Sequence, residues 1–261
     1  MDFDFFKKET YIRKRIPMPA SYLKYIAIII MLIDHIGAAL LEREVWFFYQ
    51  KFDSYEMVLE IDEVLRSIGR IAFPLFAFMI AEGAIHTRNI KKYAVRLFIF
   101  GVISEIPFDL AFFDKPFYFD SNNVFFTLAI AVAVIMLQSE LEKIQYEKML
   151  SYQEVMIGKM LILGAGVLAA YFLNTDYSAC GVLVIYVMYS AILLGQKEIG
   201  YIVGVVLLIL MCGEIEKWSI FGIIFIYLYN GERGKQNKYL FYIFYPGHLI
   251  LLTLIRFFLF K

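Results

Sequence analysis

Asp34 and His35 close an almost unbroken apolar run, Lys24-Tyr25-Ile26-Ala27-Ile28-Ile29-Ile30-Met31-Leu32-Ile33-Asp34-His35-Ile36-Gly37. Each charged side chain near a bilayer centre costs roughly 2.5 to 3.5 kcal/mol and each leucine returns only a few tenths, so a helix that keeps this pair is expected to use it. An imidazole with a reference pKa of about 6.5 can move a proton at neutral pH. Further along the chain stand Glu105, two residues before Pro107, and His248, directly after Pro246-Gly247. Each proline lacks a backbone donor and disturbs its helix, which frees carbonyls to line a cavity. The plainer alternative for His35 is a neutral ring hydrogen-bonded between helices. Asp34, turned about 100° around the helix, reads as an anchor on a second face.

The elements that must carry these residues are membrane spans. Of the 261 residues 61% are hydrophobic, against about 45 to 50% in an ordinary soluble domain. The reading is an all-α, polytopic integral membrane bundle of nine spans: 22 to 41, 67 to 86, 92 to 113, 123 to 138, 155 to 173, 179 to 194, 198 to 212, 218 to 229 and 239 to 259. The eighth is short and is expected to tilt or to re-enter. Residues 1–21 form a basic, aromatic tail ended by Pro17 and Pro19, and 22–261 one transmembrane domain. No cleavable signal is evident, so the first span stays.

Formal net charge is zero, which gives no nucleic-acid footprint. Cys180 and Cys212 have no metal-ligand spacing, and no metal is expected. Alternating loops put Lys7, Lys8, Arg13, Lys14, Arg15, Arg88, Lys91, Lys92, Lys143, Lys148, Lys197, Arg233, Lys235 and Lys238 on one side, against Arg43, Lys51, Arg66, Lys115, Lys217 and Lys261 on the other. The basic side, with the N-terminus, is then cytoplasmic. The first outer loop is acidic (Glu42, Glu44, Asp53, Glu56, Glu60, Asp62, Glu63) and reads as a solvated surface or a docking face for a cationic acceptor.

A rise of about 1.5 Å per residue turns position into depth. His35, Glu105 and His248 then lie roughly 20, 18 and 14 Å above the cytoplasmic boundary, in neighbouring layers that one cavity could join. The same arithmetic pairs Arg70 with Asp109 near the outer boundary and Glu82 with Arg96 near the inner one. Gly200 and Gly204 form a helix-packing GxxxG. In the loop Tyr229-Asn230-Gly231-Glu232-Arg233-Gly234-Lys235 two glycines permit unusual backbone angles while Arg233 and Lys235 could meet phosphates.

Taken in order, these motifs resemble the TraX family of bacterial membrane proteins. The likeness includes Ile33-Asp34-His35-Ile36-Gly37, Gly69-Arg70-Ile71-Ala72-Phe73-Pro74-Leu75-Phe76-Ala77, Glu82-Gly83 with Thr87-Arg88-Asn89, Tyr93, and Arg96-Leu97. It continues through Ile103-Ser104-Glu105-Ile106-Pro107-Phe108-Asp109, Asn123-Val124-Phe125-Phe126-Thr127-Leu128, Tyr229 to Gly234, and Phe244-Tyr245-Pro246-Gly247-His248. The basic N-terminal tail is not part of that pattern. The resemblance implies acetyl transfer, since the namesake member is associated with N-terminal acetylation of conjugative pilin. A looser likeness joins the first span to transmembrane acyltransferases such as the heparan alpha-glucosaminide acetyltransferases, in which a membrane histidine serves catalysis.

The expectation is therefore a multi-pass acetyltransferase of the bacterial cytoplasmic membrane. Acetyl-CoA would enter from the cytoplasm, held by Arg233, Lys235, Asn230, Gly231, Gly234, Arg88 and Arg96. His35 would act as general base, oriented or charge-stabilised by Glu105, with Asp34 and His248 in support. Asn123, Thr127 or His248 would donate to the oxyanion, with Arg70 and Asp109 on the substrate side. The acceptor would be an amine or hydroxyl of a peptide, lipid or glycan, and direct transfer is preferred to an acetyl-histidine. A proton-coupled transporter and a noncatalytic scaffold of a pilus or secretion assembly are the rival readings. Acceptor identity and oligomeric state stay open.

Overall fold

A computed structural model describes residues 18–235 and 238–260. The tail up to Pro17, with its basic residues, and Lys261 lie outside the described residues. The described chain is a helical membrane bundle whose only β-type pairings are the isolated bridges Met18 with Tyr229 and Asn122 with Thr175. Helix α1 (Ala20–Ile36) starts after an extended Pro19 and runs on as a π-helical turn, Gly37–Leu41. Two shorter helices follow, α2 (Val45–Phe52) and α3 (Tyr55–Gly69), then α4 (Ala72–His86) and α5 (Ile90–Phe113). The second half holds α6 (Val124–Lys148), α7 (Tyr152–Phe172), α8 (Ser178–Leu193), α9 (Lys197–Cys212), a 3-10 segment Glu214–Gly222, α10 (Ile223–Leu228) and α11 (Lys238–Leu259).

Among the described residues five stretches are long and apolar enough to cross a membrane: Ala20–Leu41, Tyr55–His86, Val124–Gln145, Tyr152–Phe172 and Tyr239–Leu259, with Ser178–Leu193 a shorter apolar helix. The eighth expected span is instead the 3-10 segment followed by six-residue α10. The acidic segment 42–66 is not an open loop. Ser54 Oγ accepts from Met57 N at 3.2 Å and starts α3, which packs along α1, so its carboxylates are carried on a helix face.

Helix α4 is the centre of the bundle. Phe73, Leu75, Ala77, Phe78 and Ala81 are all buried, as expected for a helix that is apolar on every side and touches α1, α6 and α8. Helices α8 and α9 approach closely because Gly200 faces Ala191 and Gly204 faces the Met188 side chain. A buried arginine closes the far end of the bundle. From α11, Arg256 donates to Ala111 O at 2.8 Å, Leu110 O at 2.9 Å and Ala39 O at 3.4 Å, and it pairs with Asp114. It satisfies carbonyls at the ends of α5 and the π turn that would otherwise be stranded.

Alternating connections sort the chain into two ends. One gathers Met18–Ala20, Glu82–Asn89, Lys197 and Leu228–Gly234, joined by Met18 N to Leu228 O, Ala20 N to Glu232 O and Lys197 Nζ to Tyr229 O. The other gathers Asp34–Glu42, Asp62–Arg70, residues 114–123, Leu173–Tyr177 and Gly213–Ser219, joined in part by Asp176 N to Asn122 O and Ser219 Oγ to Arg70 O.

Candidate active site

His35 and His248 meet inside the bundle, His35 Nδ1 lying 2.6 Å from His248 Nε2. Their planes differ by 12° with centroids 4.9 Å apart, so the rings lie nearly coplanar and end to end. The partners fix the hydrogens. Phe244 O, 2.7 Å from His248 Nδ1, can only accept, so His248 carries its hydrogen on Nδ1 and offers a lone pair at Nε2. His35 must then donate from Nδ1, which leaves its Nε2 as an unprotonated lone pair. Among the described residues no group hydrogen-bonds to that nitrogen. Phe112 and Tyr245 stand edge-on to the His35 ring at 5.3 and 6.1 Å and hold it in place.

This ring lines a cavity of about 1310 Å³, larger than the roughly 300 to 1,000 Å³ of an ordinary small-molecule site. The same cavity reaches both ends of the bundle. Lys24, Arg88, Arg96, Gly231 and Arg233 line it at one end, and Asp34, Glu42, Arg43, Arg66, Arg70 and Asp176 at the other. The first will be called the basic end and the second the paired end. At the basic end Glu82 accepts from Tyr229 Oη at 2.9 Å and meets His86 at 3.2 Å, while Arg96 lies 5.8 Å from the Tyr242 ring. The expected Glu82–Arg96 ion pair is therefore absent. Of the glycine loop, Gly231 and Arg233 line the cavity. Asn230 caps Glu232 at 3.0 Å, Gly234 packs on Pro19 and Ser21, and Lys235 is exposed outside it. Gly231 and Gly234 do take left-handed backbone angles, φ 81° and 67°.

At the paired end Asp34 bridges two guanidiniums, Arg66 at 2.8 Å and Arg70 at 2.6 Å. Arg70 also reaches the buried Glu216 at 3.3 Å, and Arg66 reaches Glu42 at 3.0 Å. Burial pushes the Glu216 carboxyl upward while Arg70 and Ser219 pull it back. Arg70 thus takes Asp34 and Glu216 in place of the expected Asp109, which accepts from Tyr118 N at 2.8 Å and does not line the cavity. Gly69 allows the bridge, since a Cβ there would collide with the Asp34 carboxylate.

Glu105 does not orient His35. Its carboxylate accepts from Asn123 N at 3.2 Å and from the Asn123 side chain, and Glu105 is not among the residues that line the cavity. Asn123 is fully occupied there, its Nδ2 also donating to Gly101 O at 2.8 Å. Thr127 donates to the Asp176 carbonyl and lies 2.9 Å from Thr175 Oγ1. Asn123 and Thr127 are thus spent on building the fold, and the third expected oxyanion donor, His248, gives its N–H to Phe244 O.

The polar lining residues without an assigned role in the site include Lys24, Arg66, Asp176 and Tyr177. Arg66 was legible only as a topology charge, and Lys24 only as the first residue of the apolar run. Asp176 sits in the α7–α8 connection, where burial pushes its carboxyl up to about 6 against the pull of Arg70. Among the described residues no group of three or more His, Cys, Asp or Glu is placed to hold a metal.

Comparison with known proteins agrees with this arrangement of motifs. The family model described as TraX protein matches residues 20–256. A curated relative, the probable fimbrial assembly protein FimC, serogroup H1, of Dichelobacter nodosus, is 31% identical over 261 residues, covering 94% of this chain and 99% of that protein. No solved structure matches. With its matched region running from the first residue of α1 to Arg256, the chain belongs to the TraX protein family.

Proposed function

We propose that this membrane protein is an acetyltransferase that takes acetyl from acetyl-CoA and passes it to an amine or hydroxyl of an acceptor through one cavity. The observation that carries this reading is the His248–His35 relay, which presents a lone pair to a space open toward a basic mouth. The basic end faces the cytoplasm of a bacterial cytoplasmic membrane, as its lysines and arginines favour. Phosphates of acetyl-CoA sit among Lys24, Arg88, Arg96 and Arg233, and the thioester reaches upward to His35. His35 Nε2 takes a proton from the acceptor as it attacks the thioester carbonyl, then returns it to the departing thiolate. Positioned bases supply about 10² to 10⁴-fold. His248 is a positioning residue: it fixes the His35 tautomer, a role that the sequence assigned to Glu105. Asp34 anchors α1 to Arg66 and Arg70.

The printed name of the Dichelobacter nodosus relative supports a place in pilus assembly, with a pilus subunit as acceptor. That name specifies no chemistry, so a noncatalytic assembly role is the second reading. Purified protein given labelled acetyl-CoA and candidate acceptors separates them. Acceptor-dependent release of coenzyme A, lost in a folded His35→Ala variant, is the expected result. Release unaffected by His35→Ala overturns the role given to His35, and no release with any peptide, lipid or glycan acceptor sinks the transferase reading.

A further inference from the structure

The connection between α7 and α8 is built at a cost that packing alone does not require. Asn174, Tyr177 and Ser178 all have positive φ (45°, 58° and 43°), half of the non-glycine residues that do so among the described residues. A left-handed conformation is costly for a non-glycine residue, and such strain collects at functional sites. The surroundings hold the turn rigidly. Asn122 clasps it from both sides, its N donating to Asn174 O at 2.9 Å and its O accepting from Asp176 N at 2.7 Å. Its side-chain amide adds a bond to Leu173 O at 2.5 Å. Thr127 holds the Asp176 carbonyl, and the Tyr177 ring stacks on Phe73 with centroids 3.6 Å apart. The consequence is that Asp176 and Tyr177 line the cavity shared with His35 instead of staying at the surface.

Charge at that end points to a ligand. Arg43 is neutralised by Asp114, Arg66 by Asp34 and Glu42, and Arg70 by Asp34 and Glu216. Among the described residues no cationic side chain forms a salt bridge with Asp176, so its carboxylate is the one at that end of the lining without an ion-pair partner within 4 Å, Arg70 and Arg66 acting on it from farther away.

We propose that Asp176 is the acceptor-side binding residue of the cavity, seating the ammonium group of a cationic acceptor on the opposite side of His35 from the thioester. This rests on the transfer reading and extends it to the acceptor's contact. An acceptor ammonium gives one proton to the Asp176 carboxylate. Its nitrogen then forms the N–C bond to the acetyl carbon while His35 Nε2 takes the second proton. The C–S bond breaks, the thiolate takes that proton from His35, and the proton on Asp176 leaves to water at the paired end. An alcohol has one proton to lose and needs no second base, so the site selects amines.

The test is equilibrium binding of a neutral dipeptide amide with a free amino group, compared with its N-acetyl form, to the purified full chain. Wild type should prefer the free amine by about tenfold, the worth of a charge-assisted hydrogen bond. Asp176→Asn should abolish the preference and Asp176→Glu keep it. Carbodiimide labelling of Asp176 in wild type, read by mass spectrometry, should be blocked by the free amine only, and this arm needs no variant to fold. Equal binding of both probes, or undiminished labelling, overturns the seat even where acetyl transfer proceeds. Amine preference in a protein that transfers no acetyl keeps the seat and overturns the transfer reading.

Discussion

The two ends of the cavity treat charge in opposite ways. At the paired end each guanidinium meets carboxylates within 4 Å, Asp34 serving two of them at once. At the basic end Lys24, Arg88, Arg96 and Arg233 line the cavity together with Glu82, which accepts from Tyr229 Oη. Removing two charges from water repays itself only where geometry is good, so the paired end reads as scaffold. Cations gathered at one mouth of a cavity suit a ligand with several anionic oxygens. The polyphosphate of acetyl-CoA fits that description, and His35 stands between the two regimes.

This contrast can be broken in several ways. The largest effect is expected at the junction. His35→Ala should lower acetyl transfer by at least about 10²-fold while leaving coenzyme A affinity unchanged, measured by initial rates and equilibrium binding. Next comes the scaffold. Arg70→Met strands Glu216, 2% exposed, and should cost about 3–5 kcal/mol in denaturant unfolding, with little change in the affinity for acetyl-CoA. At the basic end Arg88→Gln with Arg233→Gln should raise KM for acetyl-CoA about tenfold, weaken its salt dependence and leave kcat in place. Gly69→Ala drives a methyl into the Asp34 carboxylate and should lower stability by about 1–3 kcal/mol, read as a shifted melting temperature.

The smallest effect is a pH signature at Asp176, faced by Arg66, Arg70, Asp34, Tyr177 and Tyr245. Its folded pKa of about 6 lies above the ordinary 3.8, so its contribution to stability is present at low pH and is lost as pH rises through about 6. Amine binding needs the carboxylate and should move the other way, weakening as pH falls through about 6. Asp176→Asn should flatten both curves.

Much of this was legible in the sequence, and the failed side-chain pairings share one cause. Helical rise gives the height of a residue reliably, which put His35, His248 and Glu105 in neighbouring layers. Rise says nothing of azimuth. His248 faces inward and meets His35, whereas Glu105 turns to cap the start of α6 through Asn123. Arg70 with Asp109 and Glu82 with Arg96 fail for the same reason, each pair matching in depth but not in direction. Helix α3 was hidden because its seven-acid neighbourhood reads as solvated, although Ser54 and the apolar positions around Val58 mark a capped amphipathic helix. The strained turn at Asp176 carries no glycine to announce it. Its left-handed angles are imposed by Asn122 and Thr127, residues some fifty positions away.

The most direct test is sidedness. In proteoliposomes with the protein inserted in one orientation, acetyl-CoA supplied on the face of the basic end should support acetylation of an acceptor supplied on the opposite face. It should support none when donor and acceptor are exchanged. Transfer that proceeds with acetyl-CoA confined to the face of Asp34 and Asp176 would contradict a single cavity entered by the donor at its basic end.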